Sequence, residues 1–341
     1  MTSSQLSDLL SRIHSLSIAV LGDFCLDAYW LLHEGPDELS LETGKPTKAV
    51  AQQRYSLGGA GNVVSNLAAL GVGRVRAFGV LGADLFGDEM VRQLNAINVD
   101  ARNMVRQETD WQTPVYAKPY RGLEELSRID FGRFNTLSSD SEKMLIRALS
   151  ESIANLDALI VNQQIPRSVF SPAVIGALNN LALQNPGKLF LLDSRNALPD
   201  FRSMTCKVNA IEAAAFCGKK IPSNEECARE ELSAYARRLF DRFGKTVFIT
   251  RSRLGLLMFD GIETVEIPAL KIEGQIDPVG AGDTVVASIA AALAAGASPL
   301  QAGRLAMIAA AITVRKLRQT GTATPEEILA EASRTSPSLL S

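Results

Sequence analysis

A chain of 341 residues, 46% hydrophobic and 21% charged, has room for one large α/β domain or two modest ones with an ample core. A net charge of −2 argues against a nucleic-acid or membrane-surface role. Four cysteines without a CxxC pair, beside only two histidines, argue against zinc and against a histidine base.

The N-terminal MTSSQLSDLLSRIHSLS is polar and amphipathic and lacks the apolar segment of a signal peptide. The longest apolar run, residues 285–297, is too short and too Ala-rich to span a bilayer. The expectation is a soluble cytoplasmic protein with reduced thiols. Ser17–Gly22 is a continuous apolar run ending in glycine, as for a strand buried on both faces. Asp23 and Asp27 follow at its carboxyl end, where open α/β sheets bind ligands. Residues 29–56 are polar and irregular and read as an excursion from the sheet, a source of lid strands.

Gly58-Gly59-Ala60-Gly61-Asn62 opens a helix that ends at Gly71. Its glycines let a ligand touch the backbone, and Asn62 offers a donor and an acceptor. The glycine spacing does not fit a dinucleotide fingerprint. A strand is expected over 75–81 and an amphipathic helix over 88–98. Residues 113–130 suit two short strands around Gly122, forming with 29–56 a small sheet over a pocket. Lys118, Arg121 and Arg128 would be its basic groups, or simply solvated edge-strand charge.

Beyond Asp140 strands and helices alternate. Helices are expected over 141–154, 169–183, 211–216, 225–243 and 299–317, and strands over 158–161, 188–193, 206–209 and 246–250. Leu256–Phe259 and Thr264–Ile267 look like an antiparallel pair around Asp260-Gly261. Such alternation implies a largely parallel sheet covered on both faces.

Asp277-Pro278-Val279-Gly280-Ala281-Gly282-Asp283-Thr284 is the stretch the chain is organised around. Gly280 and Gly282 permit a sharp turn, and residues 284–295 read as a helix. A glycine turn feeding a helix start points unpaired N–H groups at an anion. Asp283 is then either a helix cap or a base that takes a proton from something about to become anionic. No GxxxxGK[ST] sequence occurs, so phosphates would need this turn to hold them.

The Gly-Gly-Ala-Gly-Asn and DPVGAGDT stretches resemble the two signatures of the ribokinase (PfkB) carbohydrate kinases, a likeness running over residues 17–329. GDFCLDAYW, TPVYAK with SRIDF, and Thr250-Arg251-Ser252 are most similar to the heptose-phosphate kinases of lipopolysaccharide biosynthesis. The resemblance implies a three-layer α/β/α Rossmann-like core with a small β lid, one kinase domain over residues 1–341 with lid segments 29–56 and 113–130. It implies transfer of the γ-phosphoryl group of ATP to a sugar hydroxyl, with Asp283 as base and the N–H groups of Gly280, Ala281 and Gly282 as anion hole. Asp27, Gly59 and Asn62 would hold sugar hydroxyls, and Lys118 and Arg128 an acceptor phosphate. Asn209 and Glu212 match the element that orders Mg²⁺ and its waters, with Glu212 toward the metal. Thr250 and Gly255 match the turn beside the nucleotide phosphates. A monovalent cation such as K⁺ and a homodimer through the lid also come with the family.

The chain departs from the family at Val64, Val208 and Ser288, none of which removes a group the chemistry needs. It departs from the heptose-phosphate kinases at residues 38–49, 162–164 and 193–196, near the expected pocket mouth. These departures bear on the acceptor rather than on phosphoryl transfer. A nucleoside or other small-alcohol kinase, or a sugar-binding regulator without turnover, stays open beside a sugar or sugar-phosphate kinase.

Overall fold

A computed structural model describes residues 1–222, 227–317 and 320–334. The amphipathic N-terminal stretch forms α1 (Ser3–Ile13), capped by Thr2, with Leu6, Leu9, Leu10 and Ile13 buried. β1 (Ser17–Gly22) leads into β2 (Phe24–Leu32), and β3 (Val50–Gly59) runs into α2 (Ala60–Ala69). Then come β4 (Arg74–Gly82), α3 (Leu85–Ala96), β5 (Val99–Gln107), β6 (Val115–Arg121), β7 (Glu124–Glu125) and β8 (Ile129–Phe131). The regular half holds α4 (Ser139–Ser152), β9 (Ala158–Gln163), α5 (Pro172–Gln184), β10 (Leu189–Ser194), β11 (Thr205–Asn209), α6 (Ala210–Phe216), α7 (Arg229–Phe243) and β12 (Val247–Thr250). The chain closes with β13 (Leu256–Phe259), β14 (Thr264–Ile267), α8 (Ala281–Ala294), α9 (Pro299–Thr313) and α10 (Pro325–Arg334).

Nine strands form the main sheet in the order β14-β13-β12-β11-β10-β9-β1-β4-β5, parallel except for the β12-β13-β14 meander. Its central strands are apolar on both faces because helices cover both. Along β1, Ile18 and Val20 join the core under α1, α2, α8 and α9, while Ala19 and Leu21 join the one under α4, α5, α6 and α7. The chain lays β4 and β5 on one side of β1, then returns to start β9 on the other. The carboxyl ends of β1 and β9 are therefore a topological switch point, where such sheets bind ligands.

The second sheet, β3-β2-β6-β7 with β8 on β6, is the lid. Asp27 and Tyr29 stand on one face, opposite Ser56 and Arg54 of β3 and Tyr116 and Lys118 of β6. The other face carries Leu26, Ala28, Val115 and Ala117, all fully buried. Period-two alternation thus separates the face that seals the core from the face that looks outward.

Several boundaries differ from the expected ones. Helix α5 starts at Pro172 rather than 169, because Ser171 caps it by accepting from the Val174 N–H at 3.2 Å. α9 ends at Thr313 rather than 317. The helix expected over 225–243 is seen from Arg229, and the beginning of that expectation lies outside the described residues. α8 starts at Ala281, three residues before the expected Thr284, which changes the meaning of Asp283. Strand β5 and helix α10 lie outside the expected elements; polar residues are threaded through both, and each acquires an apolar side only against its neighbours.

Candidate active site

The carboxyl ends of the parallel strands bring the site residues into one row. Gly22 of β1 and Asp193 of β10 each pair in register with Asn162 of β9, and Asn209 of β11 pairs with Thr250 of β12. Above this edge lies the start of α8. Gly280, with φ +79°, caps the helix from the left-handed region that glycine enters without strain. Asp283 is the third residue of the helix, so it is not the cap, and Gly280 contributes no side-chain cap either. The Ala281 N–H closes a turn on the Pro278 carbonyl at 3.2 Å. Among the described residues the N–H groups of Gly280, Gly282 and Asp283 donate to nothing, and these are the amides open to an anion. Of the three amides expected to face an anion, those of Gly280 and Gly282 are open, and that of Ala281 is turned to the Pro278 carbonyl.

Asp283 accepts a hydrogen bond from Asn62 Nδ2 at 3.1 Å, joining two glycine motifs 221 residues apart. One helical turn further in, Asn66 donates to the Asn62 carbonyl at 2.9 Å and accepts from the Thr284 hydroxyl at 2.9 Å. These bonds clamp α2 to α8 and fix the height of Asn62 against Asp283. Burial and the nearby Asp193 push the Asp283 carboxyl up to about 6, against the pull of Lys207, the Asn62 hydrogen bond and Arg195.

Asp23 and Asp27, expected together in one loop, do different work. Asp23 is 3% exposed and accepts from the N–H groups of Gln164, Ile165 and Val169 and the Ser168 hydroxyl, at 2.6 to 3.3 Å. It pins the loop after β9, and burial raises its pKa in spite of those bonds. Asp27 lies within β2 and pairs with Lys118 Nζ at 2.8 Å. Lys118 also stands 5.1 Å from the centre of the Tyr29 ring, over which Arg54 lies at 4.5 Å and against which Tyr120 stacks at 6.3 Å. Arg128 pairs with Asp130 at 2.6 Å and stacks on Tyr116 at 4.5 Å. Arg121 holds Asp37, which also takes Lys48. Gly59, at φ +56°, brings its backbone against the Asp23 carbonyl, where a Cβ would come within 2.4 Å. A cavity of about 360 Å³ runs from Asn62 along Ser56, Arg54 and Tyr29 to Arg92 and Thr320.

Asn209 and Glu212 form a reciprocal capping box on α6, each side chain accepting the other's backbone N–H at 2.8 Å. Thr250 ends β12, and in the turn that follows Arg251 N–H donates to the Gly255 carbonyl at 2.7 Å. Lys207, which sequence reasoning did not single out, is 6% exposed and donates to Asp193 Oδ1 at 3.2 Å. Burial pulls its pKa down, and Asp193, Glu212 and Asp283 more than offset that, leaving it above the ordinary lysine value. A signal was present: a single lysine in TCKVN, a strand with parallel neighbours on both sides, has to find a charged partner.

A doubly covered, largely parallel sheet with a β lid defines the ribokinase-like fold. The pfkB family carbohydrate kinase profile matches residues 17–327. The chain belongs to that family. It is 32% identical over 336 residues to the bifunctional protein HldE of Trichlorobacter lovleyi, covering 98% of this chain and 66% of the relative. The HldE of a Caulobacter species is 33% identical over 325 residues, at 92% and 62% coverage. The chain thus spans about two thirds of the length of the curated relatives it matches. Among solved structures, phosphofructokinase-2 of Escherichia coli in complex with fructose-6-phosphate superposes with a TM-score of 0.71 at 18% identity, over 94% of this chain and 99% of that one. Arabidopsis thaliana ribokinase complexed with ribose and ATP gives 0.69 at 20% identity, over 93% and 98%.

Proposed function

We propose that the chain acts as one kinase domain, with the lid segments inserted in its α/β core, and moves the γ-phosphoryl group of ATP to a hydroxyl of a sugar or sugar phosphate. The observation that carries this is the 3.1 Å bond between Asn62 and Asp283, which sets a base beside a sugar-binding amide at the mouth of free N–H groups. Asp283 takes the proton of the attacking hydroxyl, held 2.6–3.2 Å away in a productive pose. The amides of Gly280, Gly282 and Asp283 receive the negative charge that spreads over the phosphoryl oxygens. Asp27, Asn62 and the Gly59 backbone orient the acceptor.

Lys118 and Arg128 lie on the Asp27 side of the lid and serve the acceptor's own phosphate when it has one. Each must exchange its present carboxylate partner for that phosphate, or share it. Thr250 and Gly255 flank the nucleotide phosphates. Mg²⁺ accompanies ATP. Among the described residues no three His, Cys, Asp or Glu side chains gather into a metal cage. A cation here therefore leans on phosphates and water, as Mg²⁺ does. Glu212 fits that role, since its Oε2 serves the cap while burial raises its carboxyl and so favours a neighbouring cation. The ion neutralises phosphate charge when bound. A monovalent cation such as K⁺, a cytoplasmic location and a dimer through the lid complete the reading. Among the described residues no helix is long and apolar enough to cross a membrane.

Coupled ADP-release assays with ribose, fructose 6-phosphate, a heptose phosphate and adenosine test it. Release that depends on one of the sugars supports the reading. Release with adenosine alone favours the nucleoside kinase, and none with any acceptor leaves the sugar-binding regulator.

A further inference from the structure

Lys207 has no part in the chemistry above, yet its ammonium is buried at the transfer site. Its charge is balanced by Asp193, whose other oxygen is already taken by Asn162 Nδ2 at 3.2 Å and Gln164 Nε2 at 3.3 Å. Among the described residues, three of that carboxylate's roughly four acceptor sites are filled, whereas the ammonium uses one of its three donors. A buried donor without a partner is destabilising, so its remaining N–H groups favour an acceptor at that point.

The position of Nζ shows where such an acceptor would stand. It lies 3.5 Å from the point that a Cβ on Gly282 would occupy. The missing side chain leaves open space between the ammonium and the free amides that begin α8. A cation on one side and helix-start N–H groups on the other make a two-sided receptor for an anion.

We propose that Lys207 contacts the phosphoryl group during its transfer, opposite the α8 amides, with Asp193 as the anchor that aims it. This rests on the kinase reading above. In the step, the acceptor oxygen bonds to Pγ and the bond from Pγ to the bridging oxygen breaks, its electron pair leaving with ADP. The hydroxyl proton passes to Asp283, and Lys207 stays protonated throughout. Charge on the three peripheral oxygens is redistributed in the transition state, so a cation fixed there lowers the barrier more than it tightens ATP binding.

Two substitutions test this, read with whichever sugar of the panel gives the highest kcat/KM. Lys207→Met keeps the length and removes the charge. It is expected to lower kcat by about 10²–10³, with KM for ATP and for that sugar within threefold. Lys207→Arg restores the charge and should recover at least tenfold over the methionine variant. Binding of ADP with aluminium fluoride, measured by calorimetry, should weaken in parallel with kcat, while ADP alone binds as in the native protein. A purely structural lysine would lower the melting temperature without this split. If Lys207→Met fails to fold, Lys207→Met/Asp193→Asn removes both charges and leaves no lone buried carboxylate. Native kcat in a folded variant without the charge, or a loss confined to KM, overturns the assignment while the kinase reading stands. A native protein that releases no ADP with any acceptor overturns both.

Discussion

Asp283 shows how much one residue's role depends on its exact place in a helix turn. At the third position of α8 its carboxylate meets Asn62 instead of capping its own helix. Asp283→Asn is expected to leave ATP affinity unchanged and to cut kcat by about 10²–10⁴; calorimetry with ATP and steady-state turnover check the two halves. The base works only when ionised, and its pKa is raised to about 6. Turnover should therefore fall as the pH drops through about 6 and level off above 7, a limb that the asparagine variant lacks. Asn62→Ala removes a partner of both Asp283 and the acceptor. Its KM for the sugar should rise on the order of tenfold, the cost of leaving a buried polar group unpaired. The hydrogen bond from Asn62 lowers the pKa of Asp283, so the acid limb should also move to higher pH. A changed ATP KM with an unchanged sugar KM would contradict the assignment.

At the scale of elements, the site is held by how α8 begins. Gly280→Ala would force an alanine to φ +79° and bring its Cβ within 2.5 Å of Thr320 Cγ2. The left-handed conformation alone costs about 1–2 kcal/mol, which urea denaturation should register. Displaced amides should also lower turnover on the order of 10²-fold, as small misplacements of reacting groups do. The lid strands show a second kind of dependence. Alternation along residues 113–130 was enough to expect strands, and β6, β7 and β8 are there. It left open whether Lys118 and Arg128 were solvated charge. Lys118 finds Asp27 across the β2-β6 pair, whereas Arg128 finds Asp130 two residues on and lies over Tyr116 of β6.

For the whole molecule, the lid presents exposed apolar side chains among the described residues. Leu31, Leu39, Leu41, Val50 and Ile129 are all exposed, and Val50 opens the edge strand β3. Pairing through that lid predicts a dimer in sedimentation velocity at micromolar protein. Val50→Asp together with Leu41→Asp should weaken it by roughly 10²-fold or more, because an unpaired charge in an apolar contact costs several kcal/mol. A native chain that sediments as a monomer at those concentrations rules the lid dimer out.

Composition, periodicity and glycine spacing determined the strand–helix alternation, the two glycine motifs and the residue types the chemistry needs. These are local properties: buried strands must be apolar on both faces, and tight turns beside a helix start must lack a Cβ. Only the tertiary structure decided that Asp23 pins a loop while Asp27, within the lid, pairs with Lys118, that Ala281 closes a turn and Asp283 supplies a free amide, and that Lys207 lies beside Gly282. Apart from the local turn of Ala281 on Pro278, those outcomes depend on sheet register and helix height. They bring together groups from 14 residues apart, as for Asp193 and Lys207, to 221 apart, as for Asn62 and Asp283. Charge pairing and burial act through space, and no local pattern along the chain records them.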